Sequence, residues 1–185
     1  TTDHSVDLLA PLGNGFPQFI EGPVYLVGGG VGIPPLVNWA RERHADYQAG
    51  QIHYFVGGRT AKDIFYDREM QRLKLQVHVA TNDGSRGHAG FVTLPFEKVL
   101  QSSGGTGTVL TCGPMAMMQA VARIAEANGT KCLASLEAYM ACGFGVCLGC
   151  VVPDKTGDFI RLCVDGPVMD TTTVDIHSPY LGGLG

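Results

Sequence analysis

Val24-Tyr25-Leu26-Val27 runs directly into Gly28-Gly29-Gly30-Val31-Gly32-Ile33-Pro34-Pro35. The four apolar residues read as a strand and the glycines as a tight turn. The prolines open a helix, where a missing N–H costs little. Strand, glycine turn and helix in that order begin a βαβ unit, and such a turn lets a phosphate approach backbone N–H groups. Taken alone the turn is ambiguous, because tight strand-to-helix connections in any doubly wound fold use glycine for purely structural reasons.

The alternation continues on both sides. The pattern predicts strands at 24–27, 52–56, 76–80 and 108–111 and helices over 35–47, 64–73, 94–101 and 115–128, with Gly129 as the C-terminal cap. Short apolar runs separated by helical stretches specify an α/β class, a doubly wound parallel sheet. A second ligand-competent turn, Thr111-Cys112-Gly113-Pro114, closes the 108–111 strand. Ligands of open parallel sheets lie across the carboxyl ends of the strands, so the two turns point to one crevice. The polar stretch Thr81-Asn82-Asp83-Gly84-Ser85-Arg86-Gly87 follows the third strand, where it would cover a ribose or adenine or simply form a solvated turn. Arg59 and Arg86 lie where a 2′-phosphate would be met. The acidic residue expected at the end of the second strand of an NAD fingerprint is absent, since Gly57-Gly58-Arg59 stands there and Asp63 is a distant substitute. Before all this, Val6 to Pro17 reads as a strand-like stretch entering a Pro/Gly turn.

After Cys132 the texture changes to cysteine, glycine and short turns. Cys142-Gly143-Phe144-Gly145-Val146-Cys147-Leu148-Gly149-Cys150 is followed by Cys163, a C-x4-C-x2-C-x12-C spacing. That order is plant-type [2Fe–2S] ligation. One short loop must aim three thiolates inward while its N–H groups point at sulfur, and Gly143, Gly145 and Gly149 are expected to supply the unusual backbone angles and the close approach. The competing reading is a zinc site, which also takes four thiolates but usually pairs them as two C-x2-C knuckles, and only one such pair exists here. Cys112 and Cys132 lack metal spacing and read as small buried hydrophobes. The histidines at 4, 44, 53, 78, 88 and 177 read as structural or solvated. The chain is therefore expected to divide into 1–21, 22–132 as a nucleotide-binding domain, and 133–185 as a small cysteine-rich [2Fe–2S] module.

The 185 residues carry a formal charge of −4 with both signs scattered, so no basic stripe offers itself to a nucleic acid. No apolar run is long enough to span a bilayer, and no secretory signal opens the chain. Four clustered cysteines fit metal in a reducing compartment better than disulfides, which makes a cytoplasmic location the expectation.

Leu12-Gly13-Asn14-Gly15-Phe16, Gly28 to Pro35, Thr81 to Gly87, Cys112-Gly113-Pro114 and the cysteine loop together resemble the ferredoxin–NADP reductase superfamily. Met140-Ala141-Cys142-Gly143 to Cys150, with Cys163-Val164-Asp165-Gly166-Pro167-Val168, resembles more narrowly the electron transfer subunits of class B dihydroorotate dehydrogenases. The resemblance implies an FAD-binding barrel, an NAD-binding domain and a [2Fe–2S] module in that order. Residues 1–21 would then be the tail of the flavin barrel, with Leu12, Gly13, Asn14, Gly15 and Phe16 at the FAD. Gly28, Gly29, Gly30, Val31 and Gly32 would hold the NAD pyrophosphate, Thr81, Asp83 and Gly84 the adenosine side, and Cys112, Gly113 and Pro114 the nicotinamide, with Cys112 nearest the chemistry. Cys142, Cys147, Cys150 and Cys163 would hold the cluster. It also implies a partner, an FMN-containing dihydroorotate dehydrogenase catalytic subunit, and a place in pyrimidine biosynthesis. Two departures stand out. Most of the flavin barrel, with its Arg-x-Tyr-type motif, does not precede Thr1, which leaves either a piece of a longer chain or a member without stable flavin binding. Tyr139 stands where an arginine often precedes the Met-Ala-Cys loop, which puts a docking role for that position in doubt.

Two other functions fit the same motifs. One is an NAD(P)H-dependent flavin/iron–sulfur reductase serving a ferredoxin, sulfur or hydrogenase system. The other is non-enzymatic, a zinc-thiolate interaction module on a nucleotide-sensing domain.

Overall fold

A computed structural model describes Ser5, residues 7–179 and Leu181. The chain alternates β1 (Val24–Gly29), α1 (Ile33–Arg43), β2 (Ile52–Gly58), α2 (Asp67–Arg72), β3 (Gln76–Thr81), a two-residue β4 (His88–Ala89), α3 (Thr93–Ser102), β5 (Thr108–Cys112), α4 (Met115–Ala127) and β6 (Lys131–Ser135). It then forms a short hairpin, β7 (Val151–Pro153) and β8 (Phe159–Arg161), and a last strand, β9 (Val168–Asp170). The main sheet has the order β4-β3-β2-β1-β5-β6-β9, parallel throughout except for β9, which pairs antiparallel with β6.

The alternation of β1 explains the layers. Val24 and Leu26 face a core closed by Ile33, Leu36, Val37 and Ala40 of α1 and Met70 of α2. Tyr25 and Val27 face the opposite core, closed by Phe96 and Leu100 of α3 and Val121 and Ala125 of α4. A central parallel strand must be apolar on both sides for this reason. Four aromatic and imidazole rings cross the second face as a ladder. Tyr25 stacks on His53 at 5.2 Å, His53 on His78 at 5.6 Å, and His78 on Phe55 at 4.3 Å. His53 and His78 are thus structural, as expected, whereas His4 lies outside the described residues.

Several sequence expectations shift. The helix expected over 35–47 begins at Ile33 and ends at Arg43, where a 3₁₀ turn, His44–Asp46, takes over. The helix expected over 64–73 shortens to Asp67–Arg72, preceded by Tyr66 in the left-handed region (φ 62°). The strand-like stretch from Val6 holds no strand among its described residues and makes only an isolated bridge, Asn14 to Pro167; Val6 itself lies outside them. Gly129 does take the left-handed conformation (φ 65°) just beyond α4. The sheet also continues across the expected boundary at 132/133. Cys132 and Leu133 are neighbours inside β6, and the chain returns through β9 to the same sheet. A third core spans that boundary: Met118 and Ala122 of α4 and Ala134 of β6 pack with Cys150, Val152, Leu162, Cys163, Val174 and Ile176. The cysteine-rich segment is built onto the sheet and not strung from it.

Candidate functional site

Two of the expected segments meet at the carboxyl ends of the central strands, and a third lies one strand farther out. The Gly28 turn and the Cys112 turn follow β1 and β5, which are neighbours with Gly28 opposite Cys112. They touch so closely that a Cβ on Gly32 would lie 2.3 Å from the Cys112 carbonyl carbon and from the Gly113 nitrogen. A Cβ on Gly113 (φ 145°) would lie 2.6 Å from the Gly29 oxygen. Glycine at 32 and 113 thus serves the contact between turns. Gly30 is different: it is left-handed (φ 55°), and a Cβ there would meet nothing within 4 Å. It borders open space at the tip of the turn, next to an exposed Val31. Pro34 and Pro35 have no N–H, so the donors this helix end presents to an anion come from the 3₁₀ turn Gly30–Gly32 ahead of it. That open, donor-rich notch fits a pyrophosphate.

Cys112 is buried at the end of β5. Burial pushes its thiol above the ordinary range, against a hydrogen bond with the Ser135 side chain, and Glu137 adds to the rise. It is a neutral thiol at neutral pH. Ser135 and Glu137 lie at the end of β6, the strand that sequence reasoning passed over, and a fifth apolar run, Cys132-Leu133-Ala134 after Gly129, was the signal for it.

The Thr81 loop sits farther out, over β2. The amides of Asn82 and Asp83 donate to the carbonyls of Gly58 and Arg59, at 3.0 and 3.2 Å. Thr81 is buried, and its hydroxyl donates to the Arg86 carbonyl and accepts from the Arg86 amide, so it shapes the loop and does not face a ligand. The Arg86 guanidinium pairs with the buried carboxylate of Asp67. This removes it from the 2′-phosphate position that the sequence suggested. Asp63 is likewise occupied, closing a capping box on Thr60. A Cβ on Gly84 (φ 71°) would lie 3.1 Å from that of Ala89, so this glycine makes the turn.

The cysteines fall into two pairs. The Sγ atoms of Cys150 and Cys163 are 3.2 Å apart and buried in the third core. The other pair is open: the Cys147 amide donates to Cys142 Sγ and the Gly149 amide to Cys147 Sγ, both at 3.4 Å. N–H donation from Cys147 and Phe144 draws the Cys142 thiol down to about 6, so it is a thiolate at neutral pH, while Cys150 beside it pushes Cys163 up. Among the described residues no three His, Cys, Asp or Glu side chains converge on one point as a single ion asks. Two pairs of thiols are instead what a dinuclear cluster asks of its ligands, and the donor set fits it. Gly143 (φ 76°) and Gly145 (φ 86°) supply left-handed turns as expected. Gly149 does not; Leu148 (φ 58°) takes that conformation, and Gly149 serves close approach to Cys147.

The Leu12–Phe16 stretch runs beside this loop. The Asn14 amide donates to the Gly166 carbonyl at 2.6 Å, its carbonyl accepts from Val168, and its side chain donates to the Val164 carbonyl at 2.7 Å. Leu12 Cδ1 lies 3.6 Å from where a Cβ on Gly143 would be, and Phe16 packs on the first core. Gly15 has open space around it. The segment expected at the flavin thus touches both the turn that follows Cys163 and the cysteine loop.

Comparison with known proteins agrees with this geometry. The family profile for an oxidoreductase NAD-binding domain matches residues 26–123, and that for the iron–sulfur cluster binding domain of dihydroorotate dehydrogenase B matches 137–175. The chain is similar to the dihydroorotate dehydrogenase B (NAD(+)) electron transfer subunits of Listeria welshimeri (37% identical, covering 95% of this chain and 68% of that one) and Listeria innocua (40%, 93% and 66%). The relative in Bacillus velezensis is 38% identical, over 91% of this chain and 65% of that one. The chain thus spans about two thirds of the length of these relatives. A solved structure described as an NADH-dependent reduced ferredoxin–NADP oxidoreductase superposes with a TM-score of 0.77 at 29% identity, covering 93% of this chain and 60% of that one. A ferredoxin reductase of carbazole 1,9a-dioxygenase shares the fold alone (TM-score 0.51, 23% identical, 59% and 35% covered). Nucleotide turn, cysteine spacing and 37–40% identity over nearly all of this chain agree: the chain belongs to the family of dihydroorotate dehydrogenase B electron transfer subunits.

Proposed function

We propose that this chain carries electrons between an FMN-containing dihydroorotate dehydrogenase partner and NAD⁺, in the cytoplasm, as part of pyrimidine biosynthesis. Nicotinamide exchanges a hydride and a [2Fe–2S] cluster passes electrons singly, so a bound FAD would gather single electrons from the cluster into the pair that NAD⁺ accepts. The residues proposed to hold these groups are those brought together above. Gly30 to Gly32 present N–H groups to the pyrophosphate, and Gly28 and Gly29 end the strand that carries the turn. Gly113 and Pro114 shape the nicotinamide side beside Cys112, whose neutral thiol excludes water there. Cys142, Cys147, Cys150 and Cys163 ligate the cluster, and their N–H···S bonds favour its more negative, reduced state. Leu12 to Phe16 border the flavin.

One observation carries the reading: Asn14 is hydrogen-bonded on both sides of Pro167 and to Val164, the residue after Cys163. The segment proposed for the flavin is thereby held beside the residues that follow a cluster ligand, the proximity that one-electron transfer between two groups requires. The docking face lies at the same place. Tyr139, Met140, Phe144, Val146 and Leu148 are exposed apolar side chains around the cysteine loop, and such a patch marks an interaction site.

Copurification tests the proposal. Co-expressed with an FMN-containing dihydroorotate dehydrogenase, the chain is expected to elute with it and to raise NAD⁺ reduction by dihydroorotate above that of either protein alone. Elution apart, with no gain in rate, refutes it. The likeness to the ferredoxin–NADP oxidoreductase favours one second reading, a reductase with a ferredoxin partner. Reduction of ferredoxin by NADH without dihydroorotate would select it.

A further inference from the structure

We infer that a cavity at the amino ends of β2 and β3, at the opposite end of the sheet from the nucleotide turns, is a second binding site, for a nucleoside monophosphate. Doubly wound folds place their ligands at the carboxyl ends of the strands, where the Gly28 and Cys112 turns lie. The amino ends ordinarily carry only connections. Here they border a cavity of about 320 Å³, at the lower end of the range for small-molecule sites. The turn between α1 and β2 forms one wall and the end of α2 the other. Ile52 and Leu75, both buried, and the half-buried Leu73 and Tyr47 supply apolar surface. The Tyr47 hydroxyl donates to the Ile20 carbonyl and accepts from the Ile20 amide, so what Tyr47 adds to the wall is its ring.

The charge around the cavity has one sign. His44, Arg72 and Lys74 border it, and no aspartate or glutamate does. The acids nearby in sequence are taken, Glu69 by Arg41 at 2.6 Å and Asp46 by Arg43 at 3.8 Å. Arg72 and Lys74 have no ion pair among the described residues. His44 Nδ1 lies 3.2 and 3.1 Å from the carbonyls of Ala40 and Arg41. Carbonyls only accept, so Nδ1 carries a proton and Nε2 is left for a ligand.

Exposed cations are common and mean little singly. Lys74 differs because of its backbone. It follows α2 in the left-handed region (φ 63°), where a helix usually ends in glycine. The amide of Leu75 bonds to the Met70 carbonyl and that of Lys74 to the Gln71 carbonyl, the double bond pattern of such a glycine cap. A side chain is disfavoured in that conformation, yet this chain carries a lysine there, on the cavity wall. Strain of this kind points to a task for the side chain. A phosphate among Arg72, Lys74 and His44, with the base over Tyr47, Leu73 and Leu75, uses both surfaces. Inorganic phosphate would leave the apolar surface bare, and an uncharged nucleoside would leave the cations unmatched.

Uridine and adenosine monophosphates are titrated calorimetrically onto the purified chain with NADH in excess, so that the proposed NAD site is filled. At least one of them is expected to bind about tenfold or more tightly than inorganic phosphate and than its own nucleoside. Lys74→Gly is expected to weaken that nucleotide about tenfold, the loss of one charge-assisted bond. The same variant is expected not to lower the urea midpoint, because glycine relieves the left-handed backbone. Arg72→Ala is expected to weaken the nucleotide by a similar factor, and NADH binding stays as in wild type in both variants. A lysine kept only to complement the end of α2 gives the reverse, a lower midpoint and an unchanged nucleotide affinity. That result overturns the inference. So does a wild type that binds neither nucleotide, or that binds inorganic phosphate as tightly as both.

Discussion

Gly30 and Gly32 are two residues apart in one turn, and the structure assigns them opposite jobs. At Gly32 an added methyl would sit 2.3 Å from backbone atoms of Cys112 and Gly113, which cannot rotate away. Overpacking costs about 1–3 kcal/mol, and a rigid neighbour puts Gly32→Ala near the top of that range. At Gly30 the methyl meets nothing, so Gly30→Ala costs only the left-handed backbone, about 1–2 kcal/mol. If the open side of Gly30 is where the pyrophosphate lies, the methyl displaces it from the N–H groups of the turn. A charge-assisted hydrogen bond contributes about 1.5–3 kcal/mol, so NADH affinity falls about tenfold to a hundredfold. Gly129→Ala is the control, left-handed (φ 65°) and open but at the opposite end of α4. Urea unfolding is expected to find Gly30→Ala and Gly129→Ala equally destabilised and Gly32→Ala more so. Titration of NADH is expected to separate the first two. NADH affinities for Gly30→Ala and Gly129→Ala within about twofold of each other refute the notch as the pyrophosphate site.

Cys147→Ser, at the exposed cysteine, is expected to lose iron and the visible absorption of the purified protein while NADH titration remains as in wild type; unchanged iron content removes Cys147 from the ligand set. Burial and the neighbouring His53 lower the pKa of His78 from 6.5 to about 4. The unfolded chain therefore binds the proton first as pH falls, and this contribution to stability, complete above about 6.5, is lost progressively down to about 4. The half-buried ring reduces its size to about 1–2 kcal/mol. Urea midpoints at pH 7.5 and 5 should differ less in His78→Gln than in wild type, and an equal difference would refute the assignment. Arg86→Ala leaves the buried Asp67 carboxylate without its cation and is expected to cost about 2–3 kcal/mol by urea unfolding, less than a fully buried pair because Arg86 is partly exposed. A loss below about 0.5 kcal/mol would show that solvent replaces the guanidinium there.

The parts of the fold that local pattern specifies were legible. β1 and β5 are apolar on both faces and end in glycine turns, so strand, turn and crevice followed from four or five residues each. β6 was less visible because Lys131-Cys132-Leu133-Ala134-Ser135 is short, and the boundary was placed at the change of composition that begins inside it. Composition reports what a segment contains, whereas the sheet edge depends on what pairs with it, and β9 lies more than thirty residues away. In the site, spacing identified the cysteines but could not assign their pairs, since Cys163 meets Cys150 only through the fold. Arg86 misled for a similar reason. An arginine in a polar loop looks free until the buried Asp67, which is 19 positions earlier, is seen to hold it.

The way β6 and β9 join the cysteine segment to the sheet has a functional consequence. Electron transfer between bound groups needs a spacing that does not wander, and a site built on strands and helices holds position better than one on loops. The Cys142–Cys150 loop has little regular structure of its own. Its rigidity is borrowed: Cys150 and Cys163 are buried with Met118 and Ala122 of α4 and Ala134 of β6, while Cys163 is followed by the strand that pairs with β6. Helix α4 also packs Val121 and Ala125 against the sheet face behind the nucleotide turns. One helix thus contacts the core under both sites from two sides, and Asn14 of the Leu12–Phe16 stretch closes the third side. The cysteine segment is short and loop-rich, and its own hairpin, β7 and β8, is only three residues per strand. Such a hairpin is marginal by itself in water. Its order depends on the nucleotide domain, so the separation of the two sites is set by the same packing that makes the segment fold.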